Sequence, residues 1–293
     1  MAVTVIYLCT QQLRDKPDLL FRYLPTLFFS ISVFSRMSST DGANSSPLPR
    51  TESGAHKALE VEYEEMASWY DRFWMDYLNK TLPKPLDMLR KYVAEATTSS
   101  ILTIVDVGCG TGLFLKRFVD EHSYSSSNSN QQFPKLIGIE PSVGMLEHAK
   151  AKFAHEEMPN AEFKPAPAED LPLADESVDM LCSTNAFHFF CDKEKALCEM
   201  KRVLKDGGHV VITDWSYDFI LVKLYHWYER LRWFRHGPYP SPLTTKRMFQ
   251  LVKDAGFDNV SIERYSVRFW IVVFWGMHTV TAMKNAESSS PDV

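Results

Sequence analysis

Val105-Asp-Val-Gly-Cys-Gly-Thr-Gly112 is the stretch that decides the fold. β-formers lead into it: Ile101, Leu102, Ile104 and Val105, with Val107 closing the apolar run. Three glycines follow in five residues, Gly108, Gly110 and Gly112, and then a helical pattern over 113–119. Strand, glycine turn and helix in that order make an α/β unit whose turn exposes backbone N–H groups to a bound nucleotide. The spacing refines the reading. A dinucleotide turn reads G-x-G-x-x-G, whereas this one reads G-x-G-x-G with Asp106 two residues ahead of it. The phosphate loop G-x-x-x-x-G-K-[ST] is absent here. The turn suits close backbone approach to a ligand and carries no obvious equipment for phosphate.

Working outward, strands and helices alternate. Strands are expected at 135–139, 162–164, 178–183 and 209–214, alternating with helical patterns at 143–154 and 193–204. Such alternation predicts a parallel sheet with helices on both faces. Upstream, Val61, Met66, Trp69, Tyr70, Phe73, Trp74 and Tyr77 recur at three- and four-residue intervals, predicting a helix over 58–78. A second helix is expected over 86–95. Residues 123–132 are a Ser/Asn/Gln tract that reads as a loop. Downstream, 215–244 is crowded with Trp and Tyr. A helix over 245–255 ends at Gly256, a C-terminal cap, and strands are expected at 260–267 and 270–283.

The domain plan follows. Residues 56–285 are expected to form the folded domain, with 286–293 a loose tail. Residues 1–55 divide into an extension and a Ser/Pro/Gly-rich linker from Met37. The apolar run at 24–34 is too short to span a bilayer, which needs about 20 apolar residues. It is either a targeting segment or an unused start ahead of Met37. These readings predict a cytoplasmic protein, or an organelle-targeted one if the extension is an address; stable membrane insertion is not expected.

Composition excludes some partners. The formal net charge is −5, with 32 Lys and Arg against 37 Asp and Glu. Nucleic-acid binding normally needs a basic face, so no nucleic-acid partner is expected. The five cysteines, Cys9, Cys109, Cys182, Cys191 and Cys198, show no C-x-x-C pair and no metal-ligand spacing, so free thiols and no metal are expected.

Asp106-Val-Gly-Cys-Gly-Thr-Gly112 resembles the first motif of class I S-adenosylmethionine-dependent methyltransferases. Further motifs follow in the family's order. Gly138-Ile-Glu140-Pro-Ser142 is similar to the end of the second strand. Ala168-Glu-Asp-Leu-Pro-Leu173 is similar to the loop beside the adenine, and Ser183-Thr-Asn-Ala-Phe-His188 to the end of the fourth strand. Leu204-Lys-Asp-Gly-Gly-His-Val-Val211 is similar to the entry to the fifth strand. The resemblance spans roughly 60–285 and is nearest the small-molecule, ubiquinone–menaquinone-like branch. It implies a Rossmann-like sheet of seven strands, mostly parallel with the last antiparallel. It also implies S-adenosylmethionine as cofactor and helices before the first strand that close over it.

The resemblance assigns roles. Gly108, Gly110 and Gly112 would pass under the amino-acid end of the cofactor, where a side chain would block it. Asp106 would hold the ammonium, against the alternative of a fold-stabilising acid. Glu140 would accept from the ribose hydroxyls and would repel a 2′-phosphate. Glu169 and Asp170 are both candidates beside the adenine; relatives often carry an aspartate three residues ahead of that acid-Leu-Pro segment, where this chain has Pro167. Asn185 and His188 lie past the fourth strand, where His188 is either a general base or substrate orienter or a packing histidine. Asn185-Ala-Phe-His188 replaces the Asn/Asp-Pro-Pro-aromatic motif, which disfavours nucleobase-amine or amide chemistry. Tyr63, Trp69, Tyr70 and the 215–239 aromatics could wall the site, with the insertion as a lid over a hydrophobic or aromatic small-molecule acceptor. The rivals are a nicotinamide oxidoreductase, a catalytically inactive methyltransferase-like binding module, and a protein or RNA methyltransferase. Oligomeric state is not readable from the chain.

Overall fold

The computed structural model describes residues 63–64, 66–96, 101–125, 133–154, 161–232, 241–269 and 273–285. The expectations for 1–55, 123–132 (apart from the helix end) and 286–293 lie outside the described residues. Two helices, α1 (Tyr70–Thr81) and α2 (Pro83–Glu95), precede β1 (Thr103–Val107). Then come α3 (Leu113–Ser125), β2 (Lys135–Ile139), α4 (Val143–Phe153), β3 (Ala161–Lys164) and β4 (Val178–Thr184). After a 3₁₀ turn at Phe187–Phe189 follow α5 (Lys193–Val203), β5 (Leu204–Trp215), α6 (Ile220–Arg232), α7 (Thr245–Asp254), β6 (Asp258–Phe269) and β7 (Val273–Met283).

The seven strands form one sheet in the order β3-β2-β1-β4-β5-β7-β6. Pairing is parallel from β3 to β5, and β7 runs antiparallel to both its neighbours. This is the Rossmann-like sheet expected from the motifs. Chain direction across the sheet reverses between β1 and β4, so their carboxyl ends open a crevice, the usual ligand position in such sheets. Gly108 follows β1, Glu140 follows β2 and Asn185 follows β4, so three motifs converge on that edge.

Strand alternation divides the core between two helix layers. Val105, Val107, Ile137, Ile139, Leu181, Val210 and Ile212 face one way and pack with α5 and α7 through Leu197, Met200, Met248 and Val252. Ile104, Leu136, Met180, Cys182 and Val211 face the other way, against Leu86, Leu89 and Val93 of α2 and Leu115 and Phe118 of α3. Pro83 sits in the first turn of α2, where its missing N–H breaks no helical bond. Asp192 caps α5 by accepting from the Lys195 N–H, and Thr244 caps α7 by accepting from the Arg247 N–H. Gly256 adopts φ +80° just past α7, as expected of its cap.

The N-terminal helix differs from its sequence reading. Periodicity alone joins 58 to 78; among the described residues, helix at 63–64 and 66 is interrupted by a turn at 67–69, and α1 starts at Tyr70. The Trp69 amide bonds the Met66 carbonyl, closing the turn short of an α-helical register.

Candidate functional site

The cavity at the sheet edge is walled by the glycine turn, Glu140–Ser142, Ala166–Glu169, Thr184–Ala186 and, from above, Tyr63, Tyr70, Leu78 and Leu82. The helices before β1 cover it, as expected of them.

The three glycines of the turn all take left-handed φ, at +76°, +53° and +73°, but for different reasons. A Cβ on Gly108 would come within 2.4 Å of the Ala186 Cβ. One on Gly112 would meet the Ala149 Cβ at 3.0 Å and the Phe163 ring at 3.3 Å. One on Gly110 would meet nothing within 4 Å. The expectation that a side chain at each would block the cofactor is corrected for two of them: Gly108 and Gly112 are held to glycine by protein packing. Gly110 alone faces open space.

Glu140 is folded over that turn. Its Oε2 accepts from the Gly110 N–H at 3.1 Å, and its Oε1 accepts from the Ser142 N–H at 3.1 Å. The carboxylate therefore stands at the N-terminal end of α4, beside Gly110. Asp106, on β1, is fully buried between β2 and β4, and neither carboxylate oxygen has a hydrogen-bond partner among the described residues. Burial, and then the Glu140 charge, push its pKa up to about 8. A buried carboxylate without a donor is costly; Asp106 lies just ahead of the glycine turn and does not itself line the cavity. Burial also raises the Tyr70 phenol, helped by Glu140 and Asp71, and keeps the Cys109 thiol protonated.

The adenine candidates separate. Glu169 lines the cavity, but its Oε1 accepts from the Cys191 and Asp192 N–H groups at 2.8 and 3.0 Å, at the entry to α5. Asp170 is exposed and does not line the cavity; its turn points it to solvent. Residues 166–169 form that surface, with Glu169 Oε1 already engaged by backbone N–H groups.

Asn185 lines the cavity in a left-handed conformation, φ +57°. Its Oδ1 accepts from the Tyr77 hydroxyl at 2.7 Å, and its Nδ2 donates to the Thr81 Oγ1 at 3.1 Å. Tyr77 in turn accepts from the Trp215 indole N–H at 2.5 Å. His188 lies behind this network and does not line the cavity. It is 1% exposed, with Nδ1 2.5 Å from Asp214 Oδ1, its ring stacked on Trp215 at 3.9 Å, and Nε2 unpartnered among the described residues. Of the two readings of His188, this burial away from the cavity supports the packing histidine over the general base.

The expected lid also differs. Trp215 and Val222 pack with Val267 and Met277, and Tyr217, Phe219 and Tyr225 pack against that cluster. None of the described residues of 215–232 lines the cavity; residues 233–240 of the expected lid lie outside the described residues. Of the expected aromatic wall, Tyr63 and Tyr70 line the cavity and Trp69 does not.

Two contacts escaped the sequence reading. Asp71 of α1 accepts from the Thr111 hydroxyl and forms a 2.6 Å ion pair with Lys152, whose Nζ also donates to the Thr111 carbonyl at 2.7 Å. Glu64 accepts from the Gly144 N–H at 2.8 Å and the Ser142 hydroxyl at 3.2 Å. These latch the covering segment to the glycine turn and to the N-terminus of α4. Nothing in spacing connects residues 64 and 71 to positions so far downstream.

Comparison with known proteins agrees with this geometry. Residues 105–212 match the family model described as a methyltransferase domain. A ubiquinone/menaquinone biosynthesis C-methyltransferase of Campylobacter jejuni is 36% identical over 165 residues, 55% of this chain and 64% of that protein. A protein of the same description from Geotalea daltonii is 34% identical over 158 residues, 52% of this chain and 64% of its own. The match thus spans less than two thirds of these curated relatives. Among solved structures, a SAM-dependent methyltransferase of Thermotoga maritima aligns with TM-score 0.56 at 20% identity, covering 76% of this chain and 98% of its own. Haemonchus contortus phosphoethanolamine N-methyltransferase 2, solved with S-adenosylhomocysteine, aligns with TM-score 0.52 at 14% identity, covering 75% and 60%. Motif order, strand order and the family match agree: residues 105–212 match a methyltransferase domain, on a chain with the fold of S-adenosylmethionine-dependent methyltransferases.

Proposed function

We propose that this chain transfers a methyl group from S-adenosylmethionine to a small hydrophobic or aromatic acceptor. Carbon methylation of a quinol-type ring is the favoured case. The observation that carries the reading is the juxtaposition at the glycine turn. Gly110 leaves open space, Glu140 reaches over it with two acceptor oxygens, and Asp106 lies buried without a donor. The residues fit the cofactor: Asp106 would receive the ammonium, Glu140 the ribose hydroxyls, and the backbone of 166–169 the adenine. When bound, the cofactor supplies a methyl on a sulfonium, already activated.

The protein's own task is alignment and exclusion of water. Alignment of reacting groups is worth about 7–11 kcal/mol of barrier in favourable cases. Tyr63, Tyr70 and Phe189 form the aromatic side of the cavity, with Tyr63 and Phe189 edge-to-face at 5.6 Å. Such rings favour a nearby cation by about 0.5–2 kcal/mol. No histidine stands among the described residues of the wall, so the acceptor's proton is not assigned to His188. The acceptor class rests on the printed function of the Campylobacter and Geotalea relatives and on the apolar wall. A cytoplasmic location belongs to the same reading; among the described residues no helix is long and apolar enough to cross a membrane.

The test has two stages. Calorimetry with S-adenosylmethionine and with NAD should show binding of the first alone; binding of NAD alone would overturn the cofactor. Incubation with methyl-labelled cofactor and a short-chain naphthoquinol, a phenol or an amine should give a carbon-linked methyl product on the quinol. Label on the amine alone would move the acceptor to nitrogen.

A further inference from the structure

Helix α6 carries two apolar faces, and only one of them is used. Val222 is fully buried, and Tyr225 packs beside it against Met277 and Trp275. On the opposite side Ile220, Leu224 and Trp227 are 67%, 54% and 62% exposed. At about 100° per residue these three fall within roughly 60° of one another, a continuous stripe along two turns. Scattered exposed apolar residues are ordinary on protein surfaces. Three on one stripe of one helix are a contiguous patch, which marks an interaction surface.

Charge identifies the occupant. Lys223 and Arg230 are exposed and flank the stripe on one side. The charged side chains described on α6 are both basic, Lys223 and Arg230, within a chain whose net charge is −5. The local excess of positive charge therefore runs against the rest of the molecule. An apolar stripe with a Trp and a basic flank is the composition of a helix that lies in the plane of an anionic lipid surface. A second copy of this chain would bring the same basic segment onto itself, so a self-complementary contact is disfavoured.

We propose that the exposed face of α6 docks this protein on anionic membrane surfaces, as a peripheral contact. The inference stands on the helix and its charges whichever methyl acceptor is correct. α6 starts just past Trp215, at the carboxyl edge of the sheet where the cavity opens, so docking sets the cavity's edge of the molecule near the lipid.

The experiment is co-sedimentation of the full chain with phosphatidylcholine vesicles, with and without phosphatidylglycerol. The wild type should sediment at least about tenfold more with the anionic vesicles, and less at high salt. The triple variant Ile220→Ser/Leu224→Ser/Trp227→Ser should lose that binding about tenfold. Lys223→Glu/Arg230→Glu should remove the preference for anionic lipid. The substituted side chains are exposed, so an unchanged melting temperature and unchanged S-adenosylmethionine binding serve as the folding controls. Bromine-labelled lipid should quench the wild-type fluorescence, with that quenching much reduced in Trp227→Phe. Wild type left in the supernatant with both vesicle types, or a triple variant that sediments as wild type does, overturns the proposal. A dimer in ultracentrifugation that the triple variant dissolves would hand the face to a second copy and overturn it equally.

Discussion

The two ends of the cavity are made differently. At the β1–β2 end, a short run of backbone does the shaping: Gly108 to Gly112 turns, and Glu140 answers it from the next strand. At the β4–β5 end, the wall depends on side chains from distant segments: Tyr77, Thr81, Asn185 and Trp215, with Met277 0% exposed beside them. The first end is local in sequence and is the proposed seat of the cofactor. The second is assembled only by folding, and on the proposed function it is where acceptors would differ without disturbing the cofactor. A side chain in the open space at Gly110 should abolish binding with the fold intact; a change at the second end should alter stability and transfer with the cofactor still bound.

Gly110→Arg is the sharpest break. Its side chain would occupy the open space beside Glu140. S-adenosylmethionine affinity should fall at least about a thousandfold, about 4 kcal/mol. The strained left-handed φ costs about 1–2 kcal/mol, which leaves the fold standing. Near-wild-type affinity by calorimetry would remove the glycine turn from the site.

Gly108→Ala, two residues away, should behave oppositely. Its methyl would press on Ala186 at 2.4 Å in a left-handed backbone. Overpacking costs about 1–3 kcal/mol, so the loss should appear first as a lower melting temperature. If the variant melts as wild type but binds no cofactor, the two glycines are alike and the distinction fails.

Tyr77→Phe probes the other end. It strands the Trp215 indole N–H and the Asn185 Oδ1, a loss of about 1–3 kcal/mol in stability for a buried polar group. Transfer rate should fall with it, while the dissociation constant for S-adenosylmethionine stays within about twofold, well under the about 1.4 kcal/mol of a tenfold change. A cofactor affinity that drops with the rate would join the two ends.

The smallest effect is a pH dependence at Asp106. Its folded pKa lies near 8, above an ordinary aspartate value of about 3.9. A raised folded pKa means the native state holds a proton that the unfolded state has released. The stability it contributes is fully present below pH ~4 and is lost as pH rises towards ~8. A cationic ligand favours the ionised form, so cofactor binding should strengthen, about tenfold from pH ~6 to ~8, while the ligand-free protein grows less stable. Asp106→Asn should flatten both trends and bind weakly throughout. Matching slopes in wild type and variant would clear Asp106 of the ammonium.

The fold was legible because its signals are periodic. Apolar strands alternating with helices fix a parallel sheet, and the glycine turn fixes where its crevice opens. Gly110 and Glu140 were legible as cavity residues because each lies just past the end of a strand. His188 stayed open between two readings because position past β4 says nothing of which way the ring turns; that depends on stacking on Trp215 and the bond to Asp214. The described part of the aromatic insertion was open in the same way. Tyr and Trp crowding fits a lid or a core equally, and Gly276 makes room for the Phe219 ring, drawing the segment onto β7 instead. Asp71, Lys152 and Glu64 left no trace in spacing, since ion pairs between remote segments have no period.

The covering segment is fastened unequally along its length. Near Thr81 it is tied by Asn185, Tyr77 and the buried Leu78 and Leu82. Near Glu64 and Asp71 it is held by polar contacts, of which the Asp71–Lys152 pair is partly in solvent, at 26% and 23% exposure. This unequal fastening predicts that the segment opens from the Asp71 side while staying anchored at Thr81. On the proposed function, spent cofactor would then leave past Tyr63 without unpacking Asn185. Backbone amides should exchange with deuterium faster around Asp71 than around Thr81, a gradient along the covering segment.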